Sequence, residues 1–324
     1  MIVLQDRSRD AADTGPIVIF GVGLLGNGII RALRSARPAL ETVVQPLSWT
    51  DRAVRLAQLS TLRRFLGERV ASGSCRVRLV WSAGRAGFAA GSVETASELT
   101  TFLDVLSTAV KLSEELSRAD VDLMLVSSAG GLFEGQRLVD RRSMIAPRRP
   151  YGELKAKQEA SLFAASARLA KHVYRVSSVH GFIDTRYRMG LIPTLLRDGL
   201  RRQVSTIAGS PSTLRDFVWL EDVGRYIALD ILSPPRRDGE ARIVYLCSGR
   251  PTALGEVKYH VEDTLGRRLY VVFSVDHANT DITFSPHLLP PDWQPLDLRL
   301  SILEAHRAAI ARGWESPERG RIGL

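Results

Sequence analysis

Cysteine is nearly absent: Cys75 and Cys247 are the only two in 324 residues, too few for a disulfide framework in a chain of this length. These cysteines and the six histidines form no cluster at metal-ligand spacing, so no metal site is expected. A cytoplasmic, reducing compartment is the expectation that follows. No run of eighteen apolar residues occurs, and the first fifteen residues carry Asp6, Arg7, Arg9, Asp10 and Asp13 where a signal peptide would be apolar. Neither a membrane span nor export is expected. Lysine is scarce too, five against 39 arginines, yet the formal charge reaches +9, which favours a small anionic partner. The arginines are scattered, as in Arg63-Arg64, Arg148-Arg149 and Arg201-Arg202, without interleaved aromatics or a clustered stripe, which argues against nucleic acid. What is present, 45% apolar and 24% charged residues, describes a globular chain with material for one large domain or two modest ones.

Ile17-Val18-Ile19-Phe20 is a β-branched and aromatic run, followed by glycines at 21, 23 and 26 and then by Ile29, Ile30 and Leu33 at helical spacing. The order reads strand, tight turn, helix. Strand signals recur over residues 42–47, 77–81, 123–126 and 242–246, and helical periodicity runs over 97–118 and from 151 to 171. Strands alternating with helices predict an α/β fold, a doubly wound parallel sheet. After Gly181 the segments become shorter, arginine-rich and punctuated by proline. The expected division is a flexible N-terminus over 1–15, a dinucleotide-binding domain over 16–181 with a return strand within 216–248, and a smaller, discontinuous α/β C-terminal lobe for substrate from 182–215 and 249–324.

Gly21-Val22-Gly23-Leu24-Leu25-Gly26 lies where a dinucleotide's pyrophosphate would meet a helix N-terminus, the glycines permitting a tight turn and a close backbone approach. An acidic residue expected after the second strand, to accept from the adenosine ribose, is missing. The stretch reads Gln45-Pro46-Leu47-Ser48-Trp49-Thr50, with Asp51 and Arg52 beyond. Arg52 is a candidate partner for a 2′-phosphate or simply the start of a surface helix, so NAD and NADP both stay open.

Tyr151 and Lys155 stand four apart in Pro150-Tyr151-Gly152-Glu153-Leu154-Lys155 and so share a helical face. With seven tyrosines and five lysines in the whole chain, such a pair arises rarely by chance. A phenol, titrating near 10 in isolation, is a poor base at neutral pH, but an adjacent ammonium favours the phenolate. Upstream, Leu123-Met124-Leu125-Val126-Ser127-Ser128-Ala129-Gly130-Gly131 is a strand ending in hydroxyls, at the end of a sheet where ligands bind. Such a serine can bond both a substrate oxygen and the tyrosine, or merely form a turn.

These motifs, together with Arg175-Val176-Ser177-Ser178-Val179-His180-Gly181, Arg215-Asp216-Phe217 and the late strand and turn over 245–252, resemble the extended short-chain dehydrogenase/reductases. The resemblance is in particular to the NAD-dependent epimerase/dehydratase family acting on nucleotide sugars, and it covers residue 17 to about 307. It implies a Rossmann domain in which Tyr151 is the general acid/base, Lys155 tunes it and binds ribose, and Ser128 completes the set, with Ser127 as its competitor. The cofactor would lie along Gly21, Gly23, Leu24, Leu25, Gly26, Arg52, Ser82, Ala83, Gly84, Ser127, Tyr151, Lys155, Val176 and Ser178. The substrate, a nucleotide sugar, would meet Ser128, Ala129, Gly130, Ser178 and Arg215, the last through its pyrophosphate. A homodimer through the helices over 97–118 and 151–171 is also implied.

The chain departs from the family's pattern in several places. Phe20 stands where the first loop glycine is usual, and Trp81-Ser82-Ala83-Gly84-Arg85 replaces an apolar-Ala-Ala turn, with Arg85 a further candidate for the phosphates. Residues 52–70 read as helix where the family has a short strand, and the late substrate arginine is not evident near His277-Ala278-Asn279. The functional expectation is a nucleotide-sugar epimerase acting through a transient ketone. The alternatives are an NADPH-dependent ketoreductase or dehydrogenase of a nucleotide sugar or other small carbonyl compound, and a non-catalytic NADP-binding regulator. Ala129 and Gly130 stand where the family's dehydratases place acids, which argues against dehydration.

Overall fold

The computed structural model describes residues 1–6, 15–71, 76–84, 87, 90–116, 119–181, 189–234, 241–274 and 280–311. Arg85 and His277 to Asn279, named above, lie outside them. The first half of the chain runs β1 (Ile2–Asp6), β2 (Ile17–Phe20), α1 (Leu24–Ala36), β3 (Leu40–Val44), α2 (Arg52–Ala71), β4 (Arg76–Trp81), α3 (Ser92–Glu115), β5 (Asp120–Ser128), α4 (Ala129–Leu132), α5 (Pro150–Phe163) and β6 (Leu169–Val176). The second half runs β7 (Ser178–His180), α6 (Leu191–Arg201), β8 (Val204–Ala208), β9 (Leu214–Arg215), β10 (Phe217–Trp219), α7 (Leu220–Leu232), β11 (Arg242–Leu246), β12 (Thr252–Ala253), α8 (Leu254–Leu265), β13 (Tyr270–Ser274) and α9 (Leu298–Ala311). Two units result: Met1–Phe133, Met144–Val176 and Val223–Leu246 form one, and Glu134–Ser143, Ser177–Asp222 and Cys247–Leu324 the other.

The first unit holds a seven-stranded sheet ordered β11-β6-β5-β4-β2-β1-β3. All its ladders are parallel except those of β1, which is antiparallel to β2 and β3 on either side. Ile2, Val3 and Leu4 are β-branched or aliphatic, and Val3 and Leu4 have no exposed surface, so burial on both faces holds the strand in place. This corrects the expected flexible N-terminus over residues 2–6. One face of the sheet packs Val18, Phe20, Leu79, Trp81, Leu123 and Leu125 against Leu59, Leu62 and Leu66 of α2 and Phe102, Val105 and Ala109 of α3.

A second correction concerns residues 151–171, which are not one helix. α5 ends at Phe163, and Leu169 begins β6. The run Val173-Tyr174-Arg175-Val176 is buried between β5 and β11, and Lys171, on the strand, donates to the α5 end carbonyls of Phe163 and Ala165 (3.2 and 2.7 Å).

The second unit is built on Ile192, Leu195 and Leu196 of α6, Val257 and Val261 of α8, Ile302 and Ala305 of α9, and Phe217 and Trp219 of β10. It takes more of the chain than expected. Residues 177–181 and 216–222 belong to it because β7 pairs with β10 in a sheet of two strands. Residues 134–143 belong to it because Val139 bonds Thr283 and Ser285. His180 has no room for charge: it is buried against the Trp219 ring (5.5 Å between centroids), its Nε2 is 3.1 Å from Ser301 Oγ, and burial lowers its pKa to about 3. The folded state therefore keeps His180 neutral, while the unfolded chain takes up a proton below about pH 6.5. Stability from this group is present above that pH and is lost as pH falls toward 3. The unfolding free energy from urea titration is expected to fall as pH drops below about 6.5, approaching about 1.4 kcal/mol per pH unit from this residue between about pH 5.5 and 4. His180→Gln should flatten that slope, and an unchanged slope would refute the assignment.

Candidate active site

Gly21 closes β2 with φ of +93°, and a Cβ there would stand 2.2 Å from Ala83 Cα. The loop and the turn after β4 touch backbone to backbone, so only glycine fits. Ser82 and Ala83, expected at the cofactor, form this contact: Ser82 N donates to Phe20 O (2.9 Å) and Ser82 Oγ to Gly21 O (2.8 Å). Gly26 is equally confined, its Cβ position 2.0 Å from Gly21 O. Asn27 Nδ2 donates to the carbonyls of Val22 (2.8 Å) and Gly23 (3.1 Å), a clamp on the loop that the sequence reading missed.

Gly23 differs from its neighbours. It is the N-cap of α1, with no side chain bonding the helix end, and nothing lies within 4 Å of where its Cβ would be. The protein's own packing does not require glycine there. The site fits a pyrophosphate, which needs that space and the amide hydrogens of the first helical turn at Leu24, Leu25 and Gly26.

The strand at whose end the ribose acid was expected is also displaced from the glycine loop. In a doubly wound sheet the strand after the first crossover lies beside the glycine-loop strand. Here β1 stands between β2 and β3, so the β3 exit is two strand spacings away, roughly 9.6 Å. Arg52, at the start of α2, donates from Nε and Nη2 to Asp104 Oδ1 (3.1 and 2.9 Å), and Arg55 takes the other oxygen (2.8 Å). Burial pushes the Asp104 carboxyl up, but the two guanidiniums hold it below the usual carboxylate range. The 2′-phosphate partner of the sequence reading is thus engaged in an ion pair.

At the carboxyl end of β5, Ser127 Oγ is buried without a hydrogen-bond partner among the described residues. Ser128 pairs with Val176 across the ladder, and its Oγ accepts from Gly131 N (3.1 Å) as the cap of α4. Ala129 and Gly130 are buried in that turn. Pro150, with no amide hydrogen to lose, opens α5 and sets Tyr151 against Gly131: a Cβ on Gly131 would stand 3.1 Å from Tyr151 Cδ1 and Cε1. Gly152 lets the two backbones approach, its Cβ position 2.2 Å from Gly131 O. The serine, the glycine and the tyrosine ring are therefore stacked in sequence. Lys155 is buried one turn on, Nζ 5.7 Å from the Tyr151 ring centroid and 3.1 Å from Gln158 Oε1. Its second partner, Glu98 Oε1 at 3.4 Å, was not foreseen. Gly84 packs on the same carboxylate, its Cβ position 3.2 Å from Oε1. Gly131→Ala is expected to push the Tyr151 ring aside by a few tenths of an ångström and lower kcat about tenfold. Dinucleotide affinity should be kept; unchanged kcat in steady-state assays would refute this role for Gly131.

Ser178 and Arg215 belong to the second unit. Ser178 N donates to Asp216 O (3.1 Å). Arg215 Nη1 donates to the carbonyls of Leu214 (2.9 Å) and Thr280 (2.6 Å). Asp216 ties the turn after β11, accepting from Ser248 N (2.8 Å), Ser248 Oγ (2.9 Å) and Gly249 N (2.8 Å), while burial raises its pKa. No helix among the described residues is long and apolar enough to cross a membrane, and no group of three metal-ligating side chains occurs among them.

A glycine loop at the first crossover of a parallel sheet, with a Tyr-x-x-x-Lys helix packed beside a strand-end serine, defines a Rossmann domain of the short-chain dehydrogenase/reductase type. The chain belongs to the NAD dependent epimerase/dehydratase family, whose model matches residues 17–244. It is 25% identical over 172 residues to a putative UDP-glucose 4-epimerase of Methanocaldococcus jannaschii. That match takes in 51% of this chain and 54% of the relative, so the chain spans about half the length of the curated relative it matches. Its fold is similar to that of the Thermus thermophilus UDP-glucose 4-epimerase in complex with NAD (TM-score 0.69, 20% identity, 92% of this chain and 98% of that one). It is likewise similar to that of the Thermotoga maritima UDP-glucose 4-epimerase with UDP-glucose (TM-score 0.71, 17% identity, 91% and 98%).

Proposed function

We propose that this protein is an NAD-dependent nucleotide-sugar epimerase acting through a transient ketone. The observation that carries it is the convergence in one unit of the open cradle over Gly23 with Ser128, Tyr151 and Lys155. The similar solved structures named above were determined with NAD and with UDP-glucose, which supports NAD over NADP and a UDP-sugar as substrate. The pairing of Arg52 with Asp104 points the same way.

A bound nicotinamide supplies the hydride acceptor and, on return, the donor. Gly23 and the first turn of α1 would hold the pyrophosphate, and Lys155 would hold the ribose. Tyr151 as phenolate takes the proton of the sugar hydroxyl while Ser128 Oγ orients that oxygen. After the ketone turns its other face, Tyr151 returns the proton. Lys155 is buried beside the Tyr151 ring, where a cation would favour a phenolate. Arg215 remains the candidate for the substrate's pyrophosphate. A homodimer through α3 and α5 and a cytoplasmic location belong to the same reading.

The test is to purify the protein without added nucleotide, denature it, identify any released cofactor by mass, and incubate the native protein with UDP-glucose. Bound NAD and appearance of the 4-epimer without net NADH are expected. Stoichiometric consumption of NADPH with a ketone would establish the reductase, and binding of neither nucleotide would overturn the reading.

A further inference from the structure

Glu98 is a carboxylate to which the reaction above gives no task. Its side chain, on α3, is 8% exposed, with Oε1 3.4 Å from Lys155 Nζ and 3.5 Å from Gln158 Nε2. Gln158 Oε1 closes the triangle at 3.1 Å from Nζ, and both Lys155 and Gln158 are buried. The buried ammonium thus acts on two groups of opposite consequence. A cation beside a phenol favours its ionised form, and a carboxylate in contact with that cation offsets the effect.

Most of the other charged groups on the packed elements are engaged elsewhere or exposed. Asp104, further along α3, holds Arg52 and Arg55 of α2. Glu159 of α5 holds Arg175 of β6, and Asp122 of β5 holds Arg76 of β4. Glu94 of α3 and Glu153 and Lys157 of α5 are exposed, and Arg149, half-buried, precedes α5. α4 carries no titratable side chain.

We propose that Glu98 is a positioning residue that fixes the Lys155 ammonium and sets how much of its charge reaches Tyr151, and hence the pH at which Tyr151 ionises. The inference rests on the reading of Tyr151 and Lys155 as the acid/base pair. In this arrangement Glu98 restrains phenolate formation, so that the tyrosine remains able to return its proton to the ketone as well as to take one from the hydroxyl.

Near-ultraviolet phenolate absorbance, taken as the difference between each protein and the same protein carrying Tyr151→Phe, reads Tyr151 alone in the full chain. Glu98→Gln removes the charge and keeps the shape, and is expected to lower the midpoint by about one pH unit. Glu98→Asp keeps the charge and should leave the midpoint in place. An unmoved midpoint in Glu98→Gln overturns the proposal, and so does an equal fall in Glu98→Asp, which would assign the effect to packing. If Glu98→Gln does not fold, Glu98→Ala carries the same expectation. The titration needs neither turnover nor cofactor, so its outcome is separate from that of the nucleotide-sugar assay. In an active preparation the acidic limb of the pH–rate profile moves in the same direction.

Discussion

Tyr151→Phe is expected to lower kcat by about 10²–10⁴-fold while the NAD dissociation constant stays within about twofold. The ring packs on Gly131 through Cδ1 and Cε1, contacts that phenylalanine keeps, so the substitution removes the hydroxyl and little else. Steady-state kinetics with calorimetric NAD binding checks both halves. A variant retaining wild-type kcat would show that Tyr151 does not move the proton. A loss of NAD binding of equal size would instead make it a cofactor contact.

Gly23→Ala should be the sharpest test of the loop. With nothing within 4 Å of the new methyl and a backbone φ of −83°, the thermal midpoint is expected to hold. The methyl stands over the first turn of α1, and displacing a pyrophosphate from it forfeits charge-assisted hydrogen bonds of about 1.5–3 kcal/mol each. NAD affinity should fall roughly 100-fold. Gly21→Ala makes the control: with φ of +93° and Ala83 Cα 2.2 Å away, it should lower the melting temperature before any ligand is added. Equal NAD affinity in Gly23→Ala and wild type would mean that the cofactor does not use this helix end.

What the sequence revealed were local relations. Tyr151 and Lys155 are one helical turn apart, and the glycines at 21, 23 and 26 mark a turn between a strand and a helix, so spacing alone shows both. Long-range pairs left no such trace. Glu98 meets Lys155 only because α3 packs on α5, 57 residues along the chain, and Arg52 reaches Asp104 over 52. Neither pair has a period or motif. The helix read through residue 171 failed for a related reason: alanines and Leu169 continue a helical pattern, and only pairing with β5 and β11 makes the stretch a strand. Residues 2–6 leave little trace because five residues beside a charged stretch resemble a tail, and a strand antiparallel to two mutually parallel neighbours breaks the strand–helix alternation.

That strand gives the sheet an unusual dependence. β2 and β3 bond to β1 and not to each other, so the leading segment works as a plug in a slot one strand wide. A chain lacking it would present two facing rows of unpaired amides and carbonyls, the surface that recruits strands from other molecules. The sheet's resistance to edge-to-edge association would then depend on five residues, and the corresponding segment of another copy would be a ready occupant of the slot.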